Sequence, residues 1–256
     1  SQARAVLGAL FPAEVAVPGL AFSFRHIPAD EVGGDYLHAS TAPDGSLRVV
    51  LVDVSGHGLA AAMTVARLSG EIDRIVAAQP SIGPGELLRQ LNAYCLLTLT
   101  KHGIHATAAV MLVDPRLGSA RYASAGHPPV YIRGADTQVR RLESTTLLLG
   151  ALGDDGFESV EETLTLEAGD TILMLTDGLF EARDRRGEQF GLQRLEACLA
   201  RAETPPDWGA HLVELVQGWR NRMADDDLLV ATLQWEGATT AAPRAANDRM
   251  LAGAIA

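Results

Sequence analysis

The chain has 256 residues, of which 47% are hydrophobic and 21% are charged, proportions that exclude disorder throughout. Asp and Glu outnumber Lys and Arg by 32 to 21, and the net charge of -11 disfavours a nucleic-acid partner, since phosphate backbones repel an acidic surface. Two cysteines are too few for a disulfide framework or a cysteine-based zinc site. No apolar run reaches the roughly 18 residues of a membrane-spanning helix. We therefore expect a cytoplasmic protein with no membrane partner.

The first half of the chain predicts helices between short strands. Leu47 to Val54 reads LRVVLVDV, a continuous apolar run typical of a buried strand, and Gly56 and Gly58 interrupt it. Leucines at helical spacing follow Gly85. In chain order, the predicted elements are a helix from Ala3 to Leu10, strands from Leu20 to His26, opening at Tyr36, and from Leu47 to Val54, and helices from Leu59 to Val76 and from Gly85 to Leu99.

From Ala106 onward the hydrophobic period approaches two, which predicts strands joined by hairpins. Turn signals follow Val113 and Arg133. The predicted strands are Thr107 to Val113, Ser119 to Ala125, Val130 to Arg133, Gln138 to Leu142, Ser159 to Leu166, Asp170 to Thr176 and Leu228 to Trp235, with helices from Leu192 to Arg201 and from Asp207 to Met223 before the last strand.

Hairpin-forming strands together with paired helices predict an α+β fold, with two antiparallel sheets covered by helices. We expect residues 1–12 to be the end of a linker helix that enters from an upstream domain. Residues 13–236 are expected to form one domain. The Ala-, Thr-, Gly- and Pro-rich residues 237–256 are expected to be a flexible tail, in which Met250 to Ile255 has some helical character.

Aspartates at the ends of apolar strands are the most informative residues. Asp35 follows two glycines, Asp53 and Asp177 each end a strand before a glycine-containing turn, and Asp226 precedes the last strand. A single aspartate at such a place is usually a turn former or a helix cap. Buried carboxylates that meet at one place repel one another, and a hard divalent cation removes that cost. Carboxylate and carbonyl oxygens suit Mg²⁺ or Mn²⁺, and two such ions would orient a phosphoryl group for in-line attack.

Six short motifs occur in an order that resembles a known family. They are EVGGDY from Glu31, VDVSGHG from Val52, ASAGHPP from Ala123, LTDGLFEARD from Leu175, EQFG from Glu188 and DDLL from Asp226. Together they resemble the metal-dependent phosphatases of the protein phosphatase 2C superfamily, in the bacterial branch of the sporulation stage II and stress-response sigma-factor phosphatases. The resemblance extends from about Phe11 to Trp235. Each motif is weak alone, and six in register are specific.

The resemblance implies a β-sandwich of two antiparallel sheets flanked by pairs of helices, in α-β-β-α layers, with two Mn²⁺ or Mg²⁺ ions at one end. Asp53 matches the aspartate that bridges both ions, and Val54 matches the residue that offers a main-chain carbonyl. Asp177 and Asp226 match ligands of the other ion, and Asp35 matches an acidic residue that contacts metal directly or through water. In this family a metal-bound water attacks phosphoserine or phosphothreonine without a covalent enzyme intermediate.

Two positions depart from the family pattern. A common second aspartate is His38 here, which we expect to weaken or retune an outer metal site. A common Thr or Ser is Leu229, which we expect to affect packing only.

Other polar residues carry weaker predictions. His57 is a candidate general acid toward the leaving oxygen, against the simpler interpretation as a turn residue. His127 is predicted to hold a turn by a structural hydrogen bond. Arg25 is a candidate ligand of the substrate phosphate, although a solvated strand residue is the simpler interpretation. Cys95 and Cys198 fall on apolar helix faces and are predicted to be core residues.

The resemblance also implies partners: a phosphorylated anti-anti-sigma domain as substrate, an upstream sensor or receiver domain in the full-length chain, and in many members a second copy of the chain. Two other functions stay open. The fold would also serve a catalytically weak or inactive adaptor that binds proteins in sigma-factor regulation, or a phosphatase of small phosphate esters. Titration with Mn²⁺ distinguishes the adaptor, and comparing protein with free phosphoester substrates distinguishes the other.

Overall fold

The structure is a computed structural model that describes residues 2–13, 15–153, 155–220 and 226–238. Ten strands and six α-helices are found in this part of the chain, with a 3-10 turn at Thr100–His102. In chain order they are α1 Gln2–Gly8, β1 Leu20–Ile27, β2 Asp35–Thr41, β3 Leu47–Val54, α2 Leu59–Ala78, α3 Pro84–Thr98, β4 Ala106–Asp114, β5 Ser119–Ala125, β6 Val130–Arg133, β7 Val139–Leu142, β8 Glu162–Thr165, β9 Thr171–Leu175, α4 Gly178–Glu181, α5 Gly191–Leu199, α6 Trp208–Trp219 and β10 Leu228–Trp235.

The strands form two five-stranded sheets in which all pairs of neighbours are antiparallel. One sheet has the order β1-β10-β9-β6-β7, and the other has the order β2-β3-β4-β5-β8. In the second sheet Asp35 on β2 pairs directly with Asp53 on β3. In the first sheet β9 ends next to the start of β10, because Leu175 pairs with Val230.

Alternation along the strands divides the apolar side chains into three layers. Leu37, Leu51 and Leu229 are fully buried in the core between the two sheets. The outer face of the second sheet packs under α2 and α3, and the outer face of the first sheet packs under α5 and α6. The predicted α-β-β-α sandwich is therefore the observed fold.

Most predicted elements are confirmed, and three boundaries were wrong. The strand predicted from Ser159 is shorter, because the Ser159 hydroxyl donates to the carbonyl of Gly85, and the strand begins at Glu162. The helix predicted to reach Met223 ends at Trp219, because Arg220 has an extended backbone; residues 221–225 lie outside the described part. The four-residue helix α4 was not predicted. The tail after residue 238 also lies outside the described residues.

Candidate metal-binding site

The predicted aspartates come from both sheets and meet at one end of the sandwich. Asp53 is the last residue but one of β3, whereas Asp177 follows β9 and Asp226 precedes β10. Asp53 lies on the same face of β3 as Leu51, which is the face toward the other sheet. The three side chains therefore lie where the two sheets open to solvent.

These aspartates line a common cleft of about 290 Å³. The turn that follows β3 forms one wall, and the start of β4 forms another. The lining residues are Asp53, Val54, Ser55, Gly56, His57, His105, Ala106, Thr107, Asp177 and Asp226. Positions more than 170 residues apart in the chain thus share a single cleft, as the hypothesis of a metal site requires.

The carboxylates in the cleft are electrostatically strained. Burial, and then the charges of Asp177 and Asp226, raises the pKa of Asp53 to about 7. Burial, with Asp226 and Glu181, raises the pKa of Asp177 to about 6. The pKa of Asp226 is also raised, chiefly by burial. In each case the charged form lacks a compensating cation.

Asp35 lies behind this cleft and is only 4% exposed. The hydroxyl of Thr176 donates to its Oδ2 at 2.6 Å, which favours the charged form, but burial and the charge of Asp53 raise its pKa well above the usual value. Asp35 is not among the lining residues. The structure brings it next to Asp53 without exposing it to the cleft.

The main chain of Val54 is held by a close approach of two loops. Its N–H donates to the carbonyl of Gly34 at 3.1 Å. A Cβ at Gly34 would lie 2.7 Å from the carbonyl oxygen of Val54, so only glycine fits there. The Val54 residue predicted to offer a carbonyl to metal therefore lies in the wall of the cleft with its backbone fixed.

The donor set fits a hard cation that keeps water ligands. Carboxylate oxygens and a main-chain carbonyl are the groups that Mg²⁺ and Mn²⁺ prefer, and the raised pKa values indicate unbalanced negative charge. Within the described ranges, no three His, Cys, Asp or Glu side chains form a ready metal-ligand group. Mg²⁺ typically uses one or two carboxylates and several waters, so this arrangement suits it better than a closed protein cage would.

Two histidines line the same cleft. His57 is exposed, and its Nδ1 lies 3.3 Å from Oδ2 of Asp30. This contact leaves Nε2 of His57 as the nitrogen away from Asp30. His105 was not predicted; its N–H donates to the hydroxyl of Ser55 at 3.1 Å, and its carbonyl accepts from the N–H of Ser55. This pair of bonds fixes the turn after β3 to the start of β4.

Arg25 is not brought to the cleft. Its guanidinium donates to the carboxylate of Asp207, the residue that caps α6, and to the carbonyl of Phe24. Arg25 is absent from the lining residues. Its position agrees with the simpler interpretation as a partly solvated strand residue.

The two departures from the family pattern lie away from the cleft. His38 contacts the hydroxyl of Ser40 at 3.0 Å and Asp73 at 3.4 Å, on the face of β2 opposite Asp35. The expectation that His38 retunes a metal site is therefore wrong for this geometry. Leu229 is fully buried between the sheets, which confirms its packing role.

The structural roles predicted for His127 and the two cysteines are confirmed. His127 contacts the hydroxyl of Thr107 at 2.8 Å and the carbonyl of Leu175 at 3.2 Å, and burial lowers its pKa to about 3. Cys95 is 1% exposed and Cys198 is 3% exposed, so both belong to the core.

Sequence reasoning missed three residues near the site besides His105. Glu181 contributes negative charge to Asp53 and Asp177, and Thr176 is the hydrogen-bond donor to Asp35. Asp227 was treated only as the neighbour of Asp226, but its carboxylate is 3% exposed and binds the loop before β2. The LTDGLFEARD motif contained the first two, although nothing local indicated their contacts.

Comparison with known proteins gives the family. A family model described as "Stage II sporulation protein E (SpoIIE)" matches residues 43–236. The phosphoserine phosphatase RsbU of Bacillus subtilis is 28% identical over 199 residues, which are 75% of this chain and 56% of RsbU. The chain thus spans little more than half the length of this relative.

Solved structures share the fold. The SiaA-PP2C domain of Pseudomonas aeruginosa superposes with a TM-score of 0.79 at 22% identity, covering 91% of this chain and 94% of that one. A crystal structure of the RsbU and RsbW domains of a Mycobacterium tuberculosis protein gives a TM-score of 0.72 at 28% identity, covering 87% and 62%. None of the helices in the described residues is long and apolar enough to cross a membrane.

Proposed function

The chain belongs to the stage II sporulation protein E family, with the protein phosphatase 2C-like fold, and from this we propose that it is a metal-dependent serine/threonine protein phosphatase. One observation carries the proposal. Asp53, Asp177 and Asp226 come from two sheets to line one cleft, and their pKa values are raised by burial and mutual repulsion. A structural core has no need of such a cluster, whereas a cation site does.

We assign the cation ligands to Asp53, Asp177, Asp226 and the carbonyl of Val54, with Asp35 supporting Asp53 from behind. Two Mg²⁺ or Mn²⁺ ions, when bound, supply Lewis acids that polarise phosphoryl oxygens and lower the pKa of a water molecule. The protein itself contributes the fixed positions of the carboxylates and an open cleft that admits a phosphorylated side chain. The number of ions and their identity belong to the proposal.

His57 supplies a proton to the leaving seryl or threonyl oxygen in this proposal. The alkoxide of serine is a poor leaving group, so a positioned acid accelerates its departure. His57 lines the cleft, and Asp30 near its Nδ1 favours a ring orientation in which Nε2 is available. Arg25 has no part in this proposal, because Asp207 already binds its guanidinium.

The proposed substrate is a phosphoserine or phosphothreonine on a regulatory protein, of the anti-anti-sigma class. The relative RsbU is named a phosphoserine phosphatase, and the family motifs place this chain in the same branch. The net charge of -11 favours recognition of a protein surface over a nucleic acid. An upstream sensor or receiver domain in the full-length chain and cytoplasmic location complete the proposal.

The test is phosphate release from serine-phosphorylated anti-anti-sigma domains, with Mn²⁺, with Mg²⁺ and with a chelator. Free phosphoserine at equal metal concentration is the comparison substrate. We expect release that depends on the metal and favours the phosphoprotein. Asp177→Asn is the inactive control, and Glu203→Gln, which removes an exposed carboxylate in the α5–α6 connection, is the active control.

Other results would favour the alternatives. Equal rates with free phosphoserine would favour a phosphatase of small esters. Absence of both hydrolysis and Mn²⁺ binding by calorimetry would favour the protein-binding adaptor. Either result would overturn the proposed function, since the cleft would then lack its cation or its protein substrate.

A further inference from the structure

Asp227 is a buried carboxylate that binds backbone amides instead of a cation. Its side chain is among the buried polar groups at 3% exposure. Oδ1 accepts from the N–H of Ala29 at 2.7 Å, and Oδ2 accepts from the N–H of Gly34 at 2.5 Å and of Asp35 at 3.4 Å. Charge-assisted bonds of this kind are roughly twice as strong as neutral ones. Asp227 therefore holds both ends of the loop that leads into β2.

The surrounding glycines make room for this carboxylate. A Cβ at Gly33 would overlap Oδ2 of Asp227, and a Cβ at Gly178 would overlap the Asp227 carbonyl oxygen. Gly33 belongs to the EVGGDY motif, and Gly178 directly follows Asp177. Two motifs that are far apart in sequence are thus both shaped to admit Asp227.

Through these contacts Asp227 touches each chain segment that carries a proposed cation ligand. Its own N–H donates to Oδ1 of Asp226 at 2.8 Å. Gly34, which Asp227 binds, accepts the N–H of Val54. Asp35 donates its N–H to Asp227 and lies beside Asp53 in the sheet.

We propose that Asp227 is the positioning residue that joins the ligand-bearing segments of both sheets into one cation site. This inference rests on the proposed function for the identity of the site, although the anchoring bonds exist without any ion. Asp227 does not line the cleft and is not itself proposed as a ligand. Its effect on cations is exerted through Asp226, Val54 and Asp35.

The test compares Asp227→Asn with the unchanged protein in two measurements. An asparagine keeps the size of the side chain but must turn its NH₂ group toward Ala29 or toward Gly34, so one set of bonds is lost. In the metal-free protein, amide hydrogen exchange should accelerate about 10- to 100-fold at Ala29, Gly34 and Asp35 while the exchange of β4 and β5 is unchanged. Calorimetric titration should show Mn²⁺ affinity weakened by a similar factor, about 10- to 100-fold.

Asp226→Asn is the matched control one position away. It removes a proposed ligand but keeps an oxygen that accepts the N–H of Asp227, so Mn²⁺ binding should weaken while exchange at Ala29 to Asp35 is unchanged. If Asp227→Asn fails to fold, Gly33→Ala perturbs the same bonds from the loop side. Unchanged exchange at these amides, or acceleration throughout the chain, would overturn the proposal.

The two proposals fail in different ways. If the unchanged protein binds no Mn²⁺ and releases no phosphate, the proposed function fails, whereas loosening of the loop by Asp227→Asn still establishes the anchor. If the unchanged protein is active and Asp227→Asn binds Mn²⁺ with full affinity, the positioning role fails and the phosphatase assignment stands.

Discussion

Replacing Asp53 by Asn should abolish metal-dependent hydrolysis and also make the metal-free protein more stable. The rise of the Asp53 pKa from 3.8 to about 7 corresponds to about 4 kcal/mol of destabilisation when the folded protein is ionised above pH 7. Asparagine carries no charge, but its amide remains partly desolvated, so we expect a net gain of about 2 kcal/mol at pH 8.

The sign of this effect depends on pH. A carboxyl group whose folded-state pKa is raised stabilises the fold below its unfolded pKa, and this contribution is lost as pH rises through the folded pKa. For Asp53 the loss extends from about pH 4 to pH 7. The advantage of Asp53→Asn should therefore be small at pH 5 and full at pH 8.

Urea unfolding followed by tryptophan fluorescence, in a chelator, measures this directly. Glu203→Gln is the matched control, because it removes one exposed negative charge away from the cleft and should leave the unfolding free energy unchanged at both pH values. Adding Mn²⁺ should stabilise the unchanged protein and not Asp53→Asn. Equal stability of Asp53→Asn and the unchanged protein at pH 8 would refute the argument that the carboxylates repel one another.

Three further predictions concern single residues. Asp177→Asn should abolish Mn²⁺-dependent phosphate release with an unchanged circular dichroism spectrum; release at the normal rate would exclude Asp177 as a ligand. His57→Gln should slow phosphoserine hydrolysis about 100-fold but p-nitrophenyl phosphate far less, because nitrophenolate leaves without a proton; equal slowing of both would exclude a general acid. Arg133→Leu should lower the unfolding free energy by about 3 kcal/mol in urea, because the carbonyls of Leu199 and Arg201 lose a buried donor; an unchanged midpoint would contradict this.

The sequence predicted the sandwich well because its strands carry strong local signals. β3 begins and ends as predicted, at Leu47 and Val54, since an apolar run is bounded by glycines. β8 was predicted too long, because Glu161 has a role that its neighbours in sequence do not reveal. Its carboxylate accepts from the N–H of Gly85 and from Arg121. Helix α4 has four residues, which is too few for a helical period to be recognised.

The candidate site divides in the same way. Asp53, Asp177 and Asp226 were found because each lies at a strand end beside a motif. Asp227 was missed because its partners lie more than 190 residues away, and no local pattern distinguishes it from Asp226. Arg25 was overvalued, since its contact with Asp207 arises only when α6 packs over β1. Contacts between distant segments are thus what the sequence alone did not provide.

The acidic cluster is tolerated because the elements that carry it cannot separate. Leu37 and Leu51, next along the strands from Asp35 and Asp53, are fully buried between the sheets, so moving either carboxylate away would expose apolar surface. Repulsion therefore appears as raised pKa values and not as an opened cleft. A cation that enters finds ligands already in position and relieves the repulsion at the same time. Binding of the cation and folding stability are for this reason coupled in this domain, and Asp227 ties both sheets into that coupling.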